Sequence, residues 1–194
     1  AIPRRDVVFT AGWLNGNKSE LSGETSNDWY NGGFYGGATA GWYWTDHVKT
    51  EVEVGTTNTP ELYTYRPVTV GNVQNFVASE FSFRTTRLAV GQQIQFYRNA
   101  WFHPHLTGGV DLLWETTTEH VDAIFTFDPV TRTNRQVRPE EGRGPDTQLH
   151  VRPFAEGGFK AYMTPKTFFR TDLRLTFHDG VDQALVRFGF GVDF

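Results

Sequence analysis

The last ten residues, Leu185-Val186-Arg187-Phe188-Gly189-Phe190-Gly191-Val192-Asp193-Phe194, decide how the rest of the chain reads. Even positions carry Val186, Phe188, Phe190, Val192 and Phe194, and odd positions carry Leu185, Arg187, Gly189, Gly191 and Asp193. Successive side chains of a strand point to opposite faces, so this segment is a strand with one apolar, aromatic face and one small or charged face. The division recurs upstream. Phe169, Thr171, Leu173, Leu175 and Phe177 alternate with Phe168, Arg170, Asp172, Arg174 and Thr176, and Leu106, Gly108, Val110, Leu112 and Trp114 alternate with Thr107, Gly109, Asp111 and Glu115. Leu88, Val90, Ile94 and Phe96 stand against Arg87, Gly91, Gln93 and Gln95. Ala155, Phe159, Ala161 and Met163 stand against Glu156, Gly158, Lys160 and Tyr162, and Val48, Val52 and Val54 against Lys49, Glu51 and Glu53. Two opening segments, through Val7, Phe9, Ala11 and Trp13 and through Phe34, Gly36, Ala38, Ala40, Trp42 and Trp44, complete eight strands. No stretch has the helical period. Pro104 and Pro153 would each delete a ladder hydrogen bond, which places them near strand ends or bulges.

The connections alternate in length. Thr45-Asp46-His47, Arg98-Asn99-Ala100 and Thr164-Pro165-Lys166 read as tight turns, whereas Asn15 to Asp28, Thr56 to Ala78 and Thr116 to Asp146 read as long loops, with a brief His178 to Val181 on the same side. Within the longest, Ala123 to Phe127 and Thr133 to Val137 flank Asp128-Pro129-Val130 and read as a protruding hairpin. Glu140 to Gly144 reads as its mobile flank.

Composition narrows the class. At 194 residues the chain is expected to be a single domain, 1–194, with enough core to fold alone. Lys+Arg 18 against Asp+Glu 22 lacks the basic footprint of a nucleic-acid binder. The absence of cysteine removes disulfides, thiol catalysis and Cys-based zinc sites. Phe 17, Tyr 7, Trp 6 and Gly 20 make a strand-like composition. No run of about 18 apolar residues exists to form a transmembrane helix. Ala1 is the kind of small residue that signal-peptide cleavage leaves on the mature side, which is compatible with export without establishing it.

Alternation by itself leaves the apolar face either lining a soluble lipocalin-like or avidin-like barrel or facing lipid. Aromatic placement favours lipid. Trp42, Tyr43, Trp44, Phe96, Tyr97, Trp101, Phe102, Tyr162, Phe168, Phe169 and Phe194 cluster at the short-turn end, as an interfacial girdle does, with Trp13 and Trp114 toward the other end. A soluble barrel has no reason to crowd aromatics at one rim. Closure of eight strands satisfies the backbone inside hydrocarbon without any continuous apolar segment, so a mean hydropathy of -0.46 is no objection.

From Asp6 to Phe194 these residues resemble bacterial outer-membrane β-barrels of the eight-stranded class typified by the outer membrane protein A barrel. The most specific mark is the terminal strand, with Phe188, Phe190 and Val192 leading to a final Phe194. The resemblance implies an all-β, eight-stranded antiparallel up-and-down transmembrane barrel in the bacterial outer membrane, with both termini in the periplasm and long loops outside. It also implies that the terminal strand is the signal for the barrel-assembly machinery, and that outer-membrane lipid and lipopolysaccharide surround the protein. The membrane girdle is expected from Trp13, Trp42, Trp44, Phe96, Trp101, Trp114 and Phe169.

The opposite parity then lines the lumen with Lys49, Glu51, Glu53, Arg87, Asp111, Glu115, Glu156, Lys160, Arg170, Asp172, Arg174 and Arg187. These either line a conduit or pair into a plug, and the plug is favoured because an unpaired charge in a narrow lumen costs several kcal/mol. Arg170, Asp172 and Arg174 share one face, so neighbouring strands must supply acids such as Glu156, Glu51 or Glu53. His103 and His105, at i and i+2, suit a metal only if another strand brings a third ligand, and read more simply as interfacial or turn histidines beside Trp101 and Phe102. Some barrels of the resembled class deacylate lipid A with a His-Ser pair, but Phe177-His178-Asp179-Gly180 has no Ser two residues after His178, and Asp179-Gly180 reads as a hairpin turn. Gly32-Gly33 and Gly36-Gly37 precede no helix and make no phosphate loop; they leave room for long Arg and Glu side chains. Asn17-Lys18-Ser19 fits a glycosylation sequon that the bacterial reading makes irrelevant. No cofactor, metal or catalysis is expected. The expected role is structural or surface-interacting, through a partner met by the long loops; a small-solute or hydrophobic-ligand conduit is the alternative, and a lipid-modifying enzyme the second.

Overall fold

The computed structural model describes residues 5–17, 29–58, 61–70, 73–96, 101–128 and 130–194. The turn at Arg98-Asn99-Ala100, most of the Asn15 to Asp28 connection, Lys18-Ser19 of the sequon and Pro129 therefore lie outside the described residues. Eleven strands are described: β1 (Arg5–Asn17), β2 (Trp29–Tyr43), β3 (Val48–Thr57), β4 (Glu61–Val70), β5 (Val73–Gln95), β6 (Phe102–Val121), β7 (Ile124–Asp128), β8 (Thr133–Arg138), β9 (Glu141–Tyr162), β10 (Thr167–Phe177) and β11 (Val181–Asp193).

Eight of these close a barrel. Antiparallel pairing runs β1, β2, β3, β5, β6, β9, β10, β11, and β11 returns to β1 with Asp6 opposite Asp193 and Trp13 opposite Val186. Closure leaves the barrel no edge. The two described short turns share one device. Thr45 accepts from the backbone N–H of His47 and Val48, and Thr164 accepts from that of Lys166 and Thr167, so a threonine hydroxyl holds the chain reversal in each case. Asp179 (φ 51) and Gly180 (φ 138) make the tight turn between β10 and β11, where a left-handed backbone suits Asp and Gly.

The outward face is apolar and the inward face polar, the reverse of a soluble protein. Phe190 is 62% exposed while Arg187, three residues earlier on the other face, is 1% exposed. Trp13, Trp42, Trp44, Phe96, Trp101 and Trp114 all face outward and exposed, and Phe169 is half-buried against Phe188 and Phe190. Tyr43, Tyr162 and Phe168 do not belong with them: all three point into the lumen, and Phe168 is fully buried. Their parity already separates them from the outward residues beside them.

Among the described residues, the long-loop end carries more strand than the sequence suggests. A strand needs about 9–11 residues to cross a bilayer, yet β5, β6 and β9 have 23, 20 and 22. Within Thr56 to Ala78, β4 pairs antiparallel with upper β5, with Glu61 opposite Ser82 and Val70 opposite Val73. Glu140 to Gly144 is not a mobile flank, because β9 begins at Glu141 and pairs with β6 at Val121. Strands β4, β5, β6 and β9 thus form a four-stranded wall rising past the barrel on one side. The hairpin expected within the longest connection is present as β7 and β8, and Ile124 packs on Val77 and Val121. Each proline falls where a flanking ladder ends: β5 stops pairing with β6 at Gln95 opposite His105, next to Pro104, and β10 stops pairing with β9 at Thr176 opposite Phe154, next to Pro153.

Candidate functional site

The lumen is built in layers from the inward positions of all eight barrel strands. At the short-turn end the ammonium groups of Lys49 and Lys160 converge on the Asp6 carboxylate, with Lys49 Nζ 2.7 Å from Oδ2. The ring of Tyr43 lies 5.3 and 5.4 Å from the two ammonium nitrogens, and that of Phe168 lies 4.1 Å from Lys160. Tyr162 donates to Asp193 at 2.6 Å.

The middle layer is a mesh of guanidinium and carboxylate groups. Arg170 grips Glu51 with both terminal nitrogens, at 2.5 and 3.0 Å, and also donates to Glu156 and to Asp172, each at 2.7 Å. Arg174 donates to Glu156 at 2.8 Å, Glu53 at 2.6 Å and Asp111 at 3.2 Å. Arg187 reaches Glu53, Glu156 at 2.5 Å and Asp172 at 3.2 Å. The fork of donors on each arginine is what lets three strands' worth of acids share one cation. Between Glu51, Glu53, Arg174 and Phe154 no space remains for a water molecule.

Above the mesh, Arg87 donates to Gln183 at 2.8 Å and stacks 5.6 Å from the Tyr35 ring, whose hydroxyl donates to Glu53. Leu14, Tyr35 and Leu185, on the adjacent strands β1, β2 and β11, then pack into a buried cluster, each 1% exposed or less. Gly37 and Gly55 face this Tyr35 ring, and a Cβ on either would collide with it, so the glycine of β2 clears space for a tyrosine and not for Arg or Glu. Gly41 and Gly158 do clear acids, Asp6 and Asp172. Gly36 faces outward with nothing near it.

Eleven of the twelve inward charges named from sequence lie in these layers. The twelfth, Glu115, is buried higher, at the floor of the open mouth. Asp6, Asp193, Tyr35 and His105 were not assigned there, though each lies on the inward parity of its strand. His105 is luminal, 2.8 Å through Nε2 from Asp172, and not an interfacial or turn residue; His103 stacks on Tyr162 instead, so the two histidines do not share a site. Ligand atoms of His105, Glu156 and Asp172 fall within 4.8 Å of one another. Their carboxylates already receive three guanidiniums, so this donor set is occupied by protein cations.

Beyond these layers the lumen opens into a cavity of about 580 Å³ between the wall and the β10–β11 turn. His178 and Asp179 stand exposed at its rim. At its floor Arg152 is paired with Asp182.

A closed eight-stranded antiparallel barrel, apolar outside, charged and packed inside, with overlong strands at one end, is the architecture of eight-stranded outer-membrane β-barrels, and this chain has that fold. Among solved structures it is similar to Neisserial surface protein A, at TM-score 0.61 and 12% identity over 98% of this chain and 97% of that one. It is likewise similar to Ail, the attachment invasion locus protein of Yersinia pestis, at TM-score 0.54 and 8% identity over 99% of each chain. OprG from Pseudomonas aeruginosa matches at TM-score 0.51 and 13% identity over 99% of this chain and 97% of that one. No protein-family model and no curated protein matches the sequence.

Proposed function

We propose that the protein is a sealed outer-membrane barrel that acts through its protruding end, without catalysis and without conducting solutes. The observation that carries this reading is the filled lumen. Six cations (Lys49, Arg87, Lys160, Arg170, Arg174, Arg187) face six carboxylates (Asp6, Glu51, Glu53, Asp111, Glu156, Asp172), all buried. A solute would have to break several charge-assisted hydrogen bonds at once, each far stronger away from water than in it. By contrast β4 to β9 spend some 60 residues building a structure beyond the span a bilayer requires, which is where specificity is placed on a rigid scaffold.

In this reading the short turns and both termini face the periplasm, the wall faces outward, and the exposed tryptophans and Phe169 sit at the interfaces of a membrane containing lipopolysaccharide. Phe188, Phe190, Val192 and Phe194 present the strand that the assembly machinery takes up. Planar-bilayer recording on the purified protein is expected to show no unit conductance; a reproducible open channel in the unmodified protein would overturn the sealed reading in favour of a conduit.

A further inference from the structure

We infer that the cavity at the wall end is a binding site for an uncharged or amine-bearing oligosaccharide, an inference that rests on this end facing outward. Three adjacent strands supply its long side. On β9 the alternate residues Asp146, Gln148, His150 and Arg152 all face the cavity, recurring about every 6.6 Å along the strand. On β6, Glu115 lies opposite Gln148 and Thr117 opposite Asp146. On β5, Phe83 lies opposite Thr117 and Phe81 opposite Glu119, the two rings nearly parallel with centroids 6.4 Å apart.

The chemistry of this surface selects the ligand class. Carboxylate, carboxamide, imidazole and guanidinium groups are planar and offer paired donors or acceptors, the arrangement that matches vicinal hydroxyls. Phe81 and Phe83, with Leu62 packed against them, are buried and form the apolar backing of this side, which leaves recognition to the polar groups. Among the cavity's seventeen lining residues only Phe81, Phe83 and Val181 are apolar and not glycine, so a lipid tail would leave most of the wall's polar groups without partners. Gln148 donates to Asp146 at 2.9 Å, Arg143 lies 3.7 Å from Glu119, and Arg152 is paired with Asp182, so both cavity guanidiniums already face a carboxylate. Five carboxylates against two paired guanidiniums set the sign of the field, which repels sulfated or phosphorylated glycans. At about 580 Å³ the cavity falls in the range of small-ligand sites.

The test is saturation-transfer NMR on the intact protein in detergent micelles with three probes, maltohexaose, a chitosan hexamer and a heparin hexasaccharide. Two further arms separate the sources of such a sugar: lipid-free polysaccharide released from the producing cell's own surface, and the neutral milk oligosaccharide lacto-N-tetraose. Transfer to a neutral or aminated probe is expected, weakened about tenfold by Gln148→Ala, the loss of a hydrogen bond or two, and unchanged by Leu149→Ala, whose side chain faces outward. No transfer to any uncharged or aminated sugar, transfer that survives Gln148→Ala, or preference for the heparin fragment overturns the inference. A barrel that conducts yet binds overturns the sealed lumen and leaves this site standing; one that neither conducts nor binds overturns the site alone.

Discussion

The middle of the lumen and its open mouth are lined by the same kinds of residue, and they behave oppositely. In the middle, all eight strands converge and every arginine meets acids from two or three of them: Arg174 on β10 reaches β3, β6 and β9. At the mouth only β5, β6 and β9 continue upward, so carboxylates such as Asp146 and Asp179 face a cavity instead of a guanidinium. Closure around the full ring turns charge into a plug, and an incomplete ring turns it into a surface.

The sharpest way to break this contrast is to unbalance the plug. Glu156→Ala removes the acid shared by Arg170, Arg174 and Arg187 and is expected to cost about 3–5 kcal/mol, the penalty for orphaning buried charge, read as a lower urea midpoint in micelles. The same substitution at Asp146 should leave that midpoint nearly unchanged, and equal losses would abolish the distinction between the two regions. Next, Phe194→Asp at the short-turn end should sharply reduce insertion in cells, measured as the fraction of chain showing a boiling-dependent shift in SDS mobility, whereas trimming the wall tip around Arg143 should not. Equal insertion of both would count against the terminal strand as assembly signal.

The smallest effect lies at the tip. Glu141 accepts from Arg138 at 2.8 Å and Arg143 at 3.2 Å, and these bonds hold its carboxyl below the usual glutamate range. A depressed folded-state pKa gives a contribution that is present above the ordinary glutamate pKa and lost as pH falls through the depressed one. The protection factors of amides 141–143, exchange rates taken relative to the intrinsic rate at each pH, should therefore fall on acidification before those of the barrel strands; unchanged local protection down to the global transition would show that the cluster contributes nothing.

The period-2 pattern was enough to reveal eight strands, their inward and outward faces, and the need for acids opposite Arg170 and Arg174. The same parity places Asp6, His105, Tyr43 and Phe168 inside, although for the three ring-bearing residues the neighbouring aromatics point to the rim instead. The strand within Thr56 to Ala78 was harder to read, because Pro67 and a run of Tyr, Thr and Val such as Tyr63 to Val70 give both turn and strand signals, and only the pairing of β4 on β5 chooses between them.

By itself the sequence determined how the residues of each strand divide between an apolar and a polar face, since side-chain alternation is a property of a single extended chain. Tertiary structure alone decided which charges neutralise one another and which remain available. That partition depends on barrel closure and stagger, which bring Arg187 of β11 to Glu53 of β3 across 134 residues of chain, a relation that no local spacing encodes.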